Sequence, residues 1–331
     1  MPTSFKISLA DFAENCIMGS TMESNRKLKC AVIGGGSMGQ NHARIYSELE
    51  NTELVAIMDA NPERAKAIAD KYSCKIANSL EEVAQLAEAV SVVVPTDLHT
   101  QIALPLLDLG CHLLVEKPFC TSSEDAGRMI AKAKEKDLLI QVGHVEHFNP
   151  VMTFMETHVK SPKFITADRL APFNVRGTEV GVVLDLMIHD IGIILQLAKS
   201  PIESIEAVGV RVLSKTEDIA NARIKFANGC IANLNTSRAS AKKLREIRIF
   251  QPGSYMSLDF MNQTGHLMKV ENLSNITRIE VPIDKQEPLK HELQSFANCV
   301  IEHKNPKVDA ALGRRALEVA LEISRQIESQ F

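Results

Sequence analysis

The stretch Lys29–Gly39, KCAVIGGGSMG, joins a short apolar segment to a glycine-rich turn. Gly34, Gly36 and Gly39 form the pattern GxGxxG, directly after a strand-like run and before a segment with helical spacing. Glycines permit the tight turn and let backbone N–H groups at a helix N-terminus approach a pyrophosphate. Asp59 closes the next strand-like run twenty residues after Gly39, where an acid can accept hydrogen bonds from an adenosine ribose. We therefore predict a dinucleotide site made by Gly34, Gly36, Ser37, Met38, Gly39 and Asp59.

The acid at the end of the second run also bears on the choice of cofactor. The charge of Asp59 would repel the 2′-phosphate of NADP, so we predict NAD. Arg64 leaves NADP open as the alternative, because an arginine near this position can accommodate that phosphate. A glycine turn with an unrelated surface acid is the other interpretation of the stretch, and it does not account for the order strand, turn, helix and acid.

Around this stretch, from Leu28 to about Phe148, short apolar runs alternate with helical ones. The strand-like runs are KCAVIGG, ELVAIMDA, SVVVPT, HLLVEKPF and DLLIQVGH. The segments between them have helical spacing and helix caps such as Ser79 and Ser122. Strands that alternate with helices predict an α/β Rossmann domain, a doubly wound parallel sheet.

After Pro150 the pattern changes. One apolar helix, predicted from about Val182 to Lys199, is followed by strand-like runs from IESIEAVGVRV to TRIEVPI, in which apolar and polar residues often alternate. Asn228-Gly229 predicts a hairpin, and two helical segments end the chain. We predict an arm of residues 1–27, a dinucleotide-binding domain of residues 28–149, and an α+β domain of residues 150–331 with a large, mostly antiparallel sheet.

Composition argues against several classes of protein. The 331 residues include 37 Lys and Arg and 41 Asp and Glu. This balance lacks the excess of positive charge that is typical of proteins that bind nucleic acid. No apolar run approaches the roughly 20 residues of a membrane span. Seven dispersed cysteines without a CxxC pair predict reduced thiols, a cytoplasmic location and no metal site. The first 27 residues lack the pattern of a signal peptide; they form an ordered arm or lie upstream of a start at Met22.

Two further strand ends are predicted to face the same crevice, because ligands of such sheets bind beyond the carboxyl ends of the strands. One run ends in Pro95-Thr96 with His99 shortly after it, and another ends in Glu116-Lys117. A lysine at the end of a buried strand has to emerge into the crevice, although a lysine that reaches along the surface to solvent is an equal alternative. We predict cofactor contacts for Pro95, Thr96, His99 and Glu116.

Ionisable residues also interrupt the apolar run GVVLDLMIHDIGIILQL. Asp185 and His189 are four residues apart and share one face of the predicted helix. Burial of such groups is costly unless they are paired or used in chemistry. The alternative is a histidine whose ring nitrogens are hydrogen-bonded inside the core. Lys117 and the GxGxxG pattern make this alternative the weaker one. Asp190 points about 100° away from His189, which favours a structural role beside a neighbouring loop or a group near the cofactor.

In this order and spacing, the motifs GGGSMG, PTDLH, EKPF, GHVEHFNP and DLMIHD resemble the family of glucose–fructose oxidoreductase, inositol dehydrogenase and MocA. The resemblance runs from about Leu28 to the C-terminus, and DLMIHDI, GHVExFNP and KKLREIRIF are most similar to bacterial UDP-N-acetylglucosamine 3-dehydrogenases. It implies that His189 is a general base, that Lys117 positions the reacting carbon and polarises its oxygen, and that Asp185 orients the imidazole or holds a substrate hydroxyl.

The resemblance implies an NAD-dependent enzyme that oxidises a secondary hydroxyl, at C3, of a UDP-amino sugar. An inositol or another free polyol remains the alternative substrate, and a non-catalytic NAD-sensing regulator the alternative class. The family also implies a homodimer or homotetramer built through the C-terminal sheet. Two single residues depart from its common pattern: His147 stands where arginine is frequent, and Gly192 where an acid is frequent. The segment FQPGSYMS also replaces a Gly-x-x-Gly turn seen in many relatives. A nucleotide-sugar diphosphate calls for cations, and the candidate substrate contacts are Arg169, Arg176, Lys243, Arg245 and His147.

Overall fold

The computed structural model describes residues 26–174, 178, 180–272 and 275–331. Its first sheet grows from the strand that precedes the glycine turn. The strands are β1 (Leu28–Ile33), β2 (Thr52–Met58), β3 (Lys75–Ile76), β4 (Ala89–Val92), β5 (His112–Glu116) and β6 (Ile140–Gly143). They run in the order β3-β2-β1-β4-β5-β6, and every described pair is parallel. The predicted doubly wound sheet is confirmed. The two-residue strand β3 was not predicted, since it is too short to show a period.

Helices connect the strands of this sheet and cover both of its faces. They are α1 (Ser37–Glu48), α2 (Pro62–Tyr72), α3 (Leu80–Leu86), α4 (Thr96–Asp108) and α5 (Ser123–Glu135). The predicted caps are confirmed: Ser79 Oγ accepts from the Glu82 N–H at 3.2 Å and Ser122 Oγ from the Asp125 N–H at 3.1 Å. Each bond satisfies one of the backbone donors that a helix start leaves free.

The second sheet has eight strands in the order β14-β13-β12-β11-β7-β10-β9-β8. They are β7 (Phe164–Leu170), β8 (Ile202–Val210), β9 (Ile219–Phe226), β10 (Ile231–Ser237), β11 (Leu244–Gln251), β12 (Ser254–Asp259), β13 (Thr264–Asn272) and β14 (Asn275–Glu280). Among the described pairs of this second sheet, only β7 with β10 is parallel. This confirms the mostly antiparallel sheet. The predicted hairpin at Asn228-Gly229 joins β9 to β10, with Gly229 at φ +81°.

Strand β7 was missed from the sequence although it lies inside the sheet. Its buried positions carry Ile165, Ala167 and Arg169. An alanine and an arginine on the buried face do not give the apolar alternation by which a strand is recognised. The neighbouring β11 pairs with it directly, so that Arg245 lies opposite Arg169.

Helical segments pack on the inner face of the second sheet and between the two sheets. They are a 3₁₀ turn (Val145–Phe148), α6 (Pro150–His158), a π-helical turn (Val183–Met187), α7 (Ile188–Ala198), α8 (Pro288–Glu302) and α9 (Ala310–Glu328). The single helix predicted over 182–199 is therefore a π turn followed by α7. None of the helices in the described ranges is long and apolar enough to cross a membrane.

The last two helices return to the first domain. Leu293, Phe296 and Ala297 of α8 are fully buried in one core with Cys30 and Val32 of β1. Helix α9 serves both halves, since Leu317 joins the core of the first sheet and Ile323 that of the second. From the sequence we predicted that residues 150–331 form one domain. Helix α8 nevertheless packs in the core of the first domain, where it covers apolar residues of β1.

Candidate active site

The glycine turn is closed by contacts that leave no room for side chains. Gly34 has φ +105°, and a Cβ there would lie 2.2 Å from the carbonyl oxygen of Val93. A Cβ on Gly39 would lie 1.7 Å from the Gly34 oxygen, so α1 packs directly on the turn. At Gly36 the space is open, with no described atom beyond its chain neighbours within 4 Å of such a Cβ. The open position lies at the N-terminus of α1, where free N–H groups bind anions.

The acid and the arginine that bear on the cofactor lie beside this turn. Asp59 accepts hydrogen bonds from the Gly35 N–H and, at 2.6 Å, from the Asn61 N–H. Each carboxylate oxygen retains a lone pair for a ribose hydroxyl. Arg64 is exposed on the first turn of α2, with its Cβ 3.4 Å from the position that a Cβ on Gly35 would take. The turn, the free helix terminus and the acid fit a bound dinucleotide.

Four other predicted cofactor residues lie at the same edge of the sheet. Ser37 and Met38 are exposed in the first turn of α1, after β1. Pro95 is exposed and Thr96 half-buried where α4 begins, after β4. They line the carboxyl ends of two adjacent strands, the edge at which such sheets bind ligands. Their contacts with a cofactor remain predictions.

His99 does not bind a cofactor in the way the sequence suggested. Its ring is buried, with Nε2 2.9 Å from the Val94 oxygen and Nδ1 3.1 Å and 3.2 Å from the Pro118 and Phe119 oxygens. The prediction is corrected: both nitrogens contact backbone carbonyls. The ring instead joins the loop after β4 to the turn after Lys117, and so fixes the edge of the crevice.

Glu116 is largely enclosed at the end of β5. Its Oε1 lies 3.2 Å from His42 Nε2, and its Oε2 accepts from the Lys117 N–H at 3.2 Å. A Cβ on Gly143 would come within 3.0 Å of this carboxylate, so the neighbouring strand has room for it only because it carries glycine. The contact of Glu116 with the cofactor remains a prediction.

Lys117 reaches from the end of β5 to the second domain. Its Nζ donates to Asp185 Oδ1 at 2.9 Å and to the Asp185 carbonyl oxygen at 2.7 Å. The structure therefore brings together two of the three residues predicted to be catalytic, from opposite sides of the crevice. Asp185 lies in the π turn, a form of helix that often marks functional sites, and that turn was not predictable from an apolar run with ordinary helical spacing.

His189 lies at the start of α7 and is 9% exposed. Burial lowers the pKa of its imidazole well below the ordinary value, and the positive charges of Lys117, Arg169 and Arg245 lower the pKa further. The ring is therefore neutral at physiological pH and can accept a proton. A neutral imidazole can accept the proton of a hydroxyl group, and the charge of Lys117 acts on this ring.

A buried ion network lies beside His189. Arg169 donates to both oxygens of Asp190, at 2.9 Å and 2.8 Å, and to Glu146 at 3.0 Å. The predicted substrate contact of Arg169 is corrected, because its guanidinium is buried and engaged by two carboxylates. Asp190 has the structural role that we expected, but its partner is Arg169 on strand β7 and not a loop or a group near the cofactor. Arg245 donates to the same Glu146 at 3.0 Å but is 40% exposed, so it can still reach a ligand.

His147 is also withdrawn from the substrate contacts. It is fully buried, its Nδ1 is 2.7 Å from Gln196 Oε1, and a Cβ on Gly192 would lie 2.8 Å from its Nε2. The two single-residue departures from the common family pattern are thus in contact: the histidine fits because the facing residue is glycine.

Two predicted cations remain, Lys243 and Arg176. Lys243 is exposed just before β11, and Arg176 lies outside the described residues. Sequence reasoning gave no role to His144, Glu146 or Gln196. The polar run GHVEH directly after the buried strand β6 was the available signal, since it lies at the carboxyl edge of the sheet. Within the described ranges, His, Cys, Asp and Glu form no group of three or more that could hold a metal ion.

Comparison with known proteins places these features among oxidoreductases. Residues 28–144 match the model of an oxidoreductase family with an NAD-binding Rossmann fold, and residues 152–251 match the GFO/IDH/MocA C-terminal domain. The chain is 32% identical to UDP-N-acetylglucosamine 3-dehydrogenase of Acidithiobacillus ferrooxidans over 308 residues, 91% of this chain and 98% of that protein. The solved structure of that enzyme superimposes with a TM-score of 0.87, covering 92% of this chain and 98% of the other.

More distant relatives share the fold with other substrates. The scyllo-inositol 2-dehydrogenase (NAD(+)) of Bacillus subtilis is 26% identical over 319 residues, 89% of this chain and 92% of that protein. A levoglucosan dehydrogenase in complex with NADH and levoglucosan has a TM-score of 0.83 at 16% identity, covering 92% of this chain and 98% of the other. At that identity the likeness concerns the fold alone.

The buried histidines predict a loss of stability in acid. Burial lowers the pKa of His144 to about 3 and that of His147 to about 4, whereas a histidine in the unfolded chain takes up its proton near pH 6.5. Below about pH 6.5 the unfolded state binds more protons, so the free energy of unfolding falls by about 1.4 kcal/mol per pH unit for each such histidine. For His147 this loss continues down to about pH 4.

Urea unfolding at pH 7, 6 and 5 measures this dependence. His147→Gln, which cannot titrate, should have a shallower dependence on pH than the unmodified protein, by the amount that one proton contributes. Equal slopes for the two proteins would contradict the neutral buried state of His147.

Proposed function

The chain belongs to the GFO/IDH/MocA oxidoreductase family and is an NAD-binding sugar dehydrogenase, and we propose that it oxidises UDP-N-acetylglucosamine at C3 to the keto sugar. The observation that supports a catalytic site most directly is the bond from Lys117 of the first domain to Asp185, one turn before His189 in the second. Identity of 32% to a UDP-N-acetylglucosamine 3-dehydrogenase along almost the whole chain supports the substrate.

In the proposed reaction His189 is the general base. Its neutral imidazole takes the proton of the C3 hydroxyl, and a base in this position contributes a factor of about 10² to 10⁴ to the rate. Bound NAD supplies the acceptor for the hydride that leaves the same carbon. The proton and the hydride together convert the carbinol to a ketone.

Lys117 would act on the charge that develops during this step. As the proton leaves, negative charge builds on the C3 oxygen, and fixed cations in a site shielded from water stabilise it. Lys117 is held toward the second domain by two hydrogen bonds to Asp185, so its ammonium group is positioned before the substrate arrives. Asp185 is 40% exposed at its side chain, which leaves an oxygen for a substrate hydroxyl.

The diphosphate of the substrate would bind near the start of β11. Arg245 lies on the face of β11 that also carries the buried Ile247 and Ile249. One of its nitrogens is bonded to Glu146, which fixes the side chain and leaves further donors for phosphate oxygens. Lys243 lies two residues earlier, is exposed, and is proposed as a second cation for the same group.

The proposal includes a homodimer or homotetramer formed through the second sheet, and a cytoplasmic location. Val208 and Phe250 are large apolar side chains exposed on strands of this sheet, and an interface between chains would cover such side chains. Light scattering should give the mass of two or four chains; a monomer at micromolar concentration would contradict this part.

Turnover on a panel of sugars tests the substrate. NADH absorbance should appear when NAD and UDP-N-acetylglucosamine are supplied together, and Lys117→Met should abolish it, because the ammonium group that positions the reacting carbon is lost. The circular dichroism spectrum of this variant should be unchanged. Lys134→Met, an exposed position on α5, is the matched control and should retain full activity.

Three outcomes would contradict the proposal in different ways. Turnover of inositols without a nucleotide would favour a polyol dehydrogenase. NAD binding without turnover on any member of the panel would favour a regulator. Full activity of Lys117→Met would remove the proposed role of that residue.

Arg245→Gln tests the proposed phosphate contact. A hydrogen bond to a charged group contributes about 1.5–3 kcal/mol, so the KM for UDP-N-acetylglucosamine should rise by roughly 10-fold or more, while the KM for NAD stays unchanged. Arg248→Gln is the control, since Arg248 lies on the same strand, is 39% exposed and is paired with Asp168 on the opposite face. Equal effects of the two variants would contradict a specific contact at Arg245.

A further inference from the structure

A line of polar side chains leads from the protein surface to the back of His189. It contains Glu156 of α6, Gln196 of α7, His147 of the 3₁₀ turn and His144 at the end of β6. Glu156 is 31% exposed at its side chain and paired with Lys307 at 3.0 Å, whereas His144 and His147 are completely buried. We call these four residues the polar line.

Hydrogen-bond direction is fixed at the surface end of the polar line. An ionised carboxylate only accepts, so the amide nitrogen of Gln196 donates to Glu156. The amide oxygen of Gln196 then faces His147, with Nδ1 at 2.7 Å. His147 Nδ1 must therefore carry the hydrogen. Because the ring is neutral, its Nε2 has none and is an acceptor.

The inner end of the polar line contains buried nitrogens without partners. His147 Nε2, both nitrogens of His144, and His189 Nδ1 find no hydrogen-bond partner among the described residues. The three rings are neighbours. The ring centroid of His144 lies 6.0 Å from that of His147 and 6.1 Å from that of His189. The ring planes of His144 and His189 are nearly perpendicular, at 89°. Buried polar atoms are rarely left unsatisfied, and an ordered water can bridge such gaps.

Neutral imidazoles can continue the direction that Glu156 sets. A neutral ring has one donor and one acceptor. A donor on the side of His144 that faces His147 would satisfy His147 Nε2, and the other nitrogen of His144 would then be an acceptor toward His189 Nδ1. A bridging water transmits this order when it donates to one ring and accepts from the other.

We propose that His144 is a positioning residue that sets the tautomer of His189, with Nδ1 protonated and Nε2 bare for the substrate hydroxyl. The direction comes from Glu156 and passes through Gln196, His147 and His144. The proposal rests on the proposed role of His189 as the base. Under this proposal, the surface carboxylate of Glu156 determines which nitrogen of His189 carries the hydrogen.

Gly192 supports the proposal by its position. Its missing side chain is what allows His147 Nε2 to approach α7, since a Cβ there would lie 2.8 Å from that nitrogen and 3.9 Å from His144 Nδ1. A larger residue at 192 would collide with His147 Nε2. The glycine and the two histidines are therefore parts of one arrangement.

Tautomers can be measured directly in the full-length protein with NAD bound. Two-bond ¹⁵N–¹H correlations of ¹⁵N-histidine distinguish the two neutral forms, and the spectrum of His189→Asn assigns the signals of His189. The unmodified protein should show His189 protonated at Nδ1. Protonation at Nε2 would overturn the proposal.

Glu156→Gln tests the origin of the direction without disturbing the buried rings. An amide at 156 can donate or accept, so Gln196 is free to turn over, and His189 should become a mixture of both tautomers. Glu203→Gln is the matched control, because Glu203 is also a surface carboxylate paired with a lysine, Lys225 at 2.9 Å. An unchanged His189 tautomer in Glu156→Gln would overturn the proposal.

His144 itself is tested by loss and rescue. His144→Phe removes both polar atoms and should lower kcat by about 10- to 100-fold, the range for groups that orient a functional imidazole, with the KM for NAD unchanged. His144→Gln retains one donor and one acceptor and should recover most of the activity and the Nδ1–H form of His189. Failure of the rescue together with a retained tautomer in His144→Phe would overturn the positioning role. If no UDP-sugar is turned over, the proposed function fails, and the tautomer measurements still decide this inference.

Discussion

The bond between Lys117 and Asp185 is the contact on which the arrangement of the site depends. Its two partners belong to different domains. Lys117 follows strand β5 of the first sheet, and Asp185 lies in the π turn that packs on the second sheet. On one side a strand of the parallel sheet ends in the lysine, and on the other the π turn presents both a carboxylate and a carbonyl oxygen. An ion pair that is partly open to solvent, as this one is, adds little to stability. The value of this one is positional, since it fixes a flexible side chain beside His189.

The second domain buries several charged side chains beside His189. Arg169 is shared by Asp190 and Glu146, and Glu146 also holds Arg245. Removal of one partner of such a buried group typically costs about 3–5 kcal/mol, because the others remain without compensation. The same cations favour a neutral His189. Structural charge and the protonation state of the proposed base are therefore parts of one electrostatic arrangement.

Much of the first domain was predictable because its rules are local. A glycine turn, apolar strands and capped helices each leave a short-range pattern, and the order of motifs identified a family that the comparisons confirm. The failures have a common physical origin in long-range packing. Strand β7 hides an arginine on its buried face, α8 returns to cover β1, and the rings of His99 and His147 bind groups distant in sequence. No local pattern specifies such partners. The π turn was also missed, since its five residues continue the apolar run of the helix that follows.

The return of the C-terminal helices has a consequence for how this architecture can be altered. Since α8 fills the core against β1, the cofactor-binding half is discontinuous along the chain. A fragment that stops at the boundary between the sheets would leave an apolar surface uncovered. Exchange of substrate specificity between relatives by recombination would therefore need two junctions, one before α6 and one before α8, and a single crossover would separate a core from the helix that completes it.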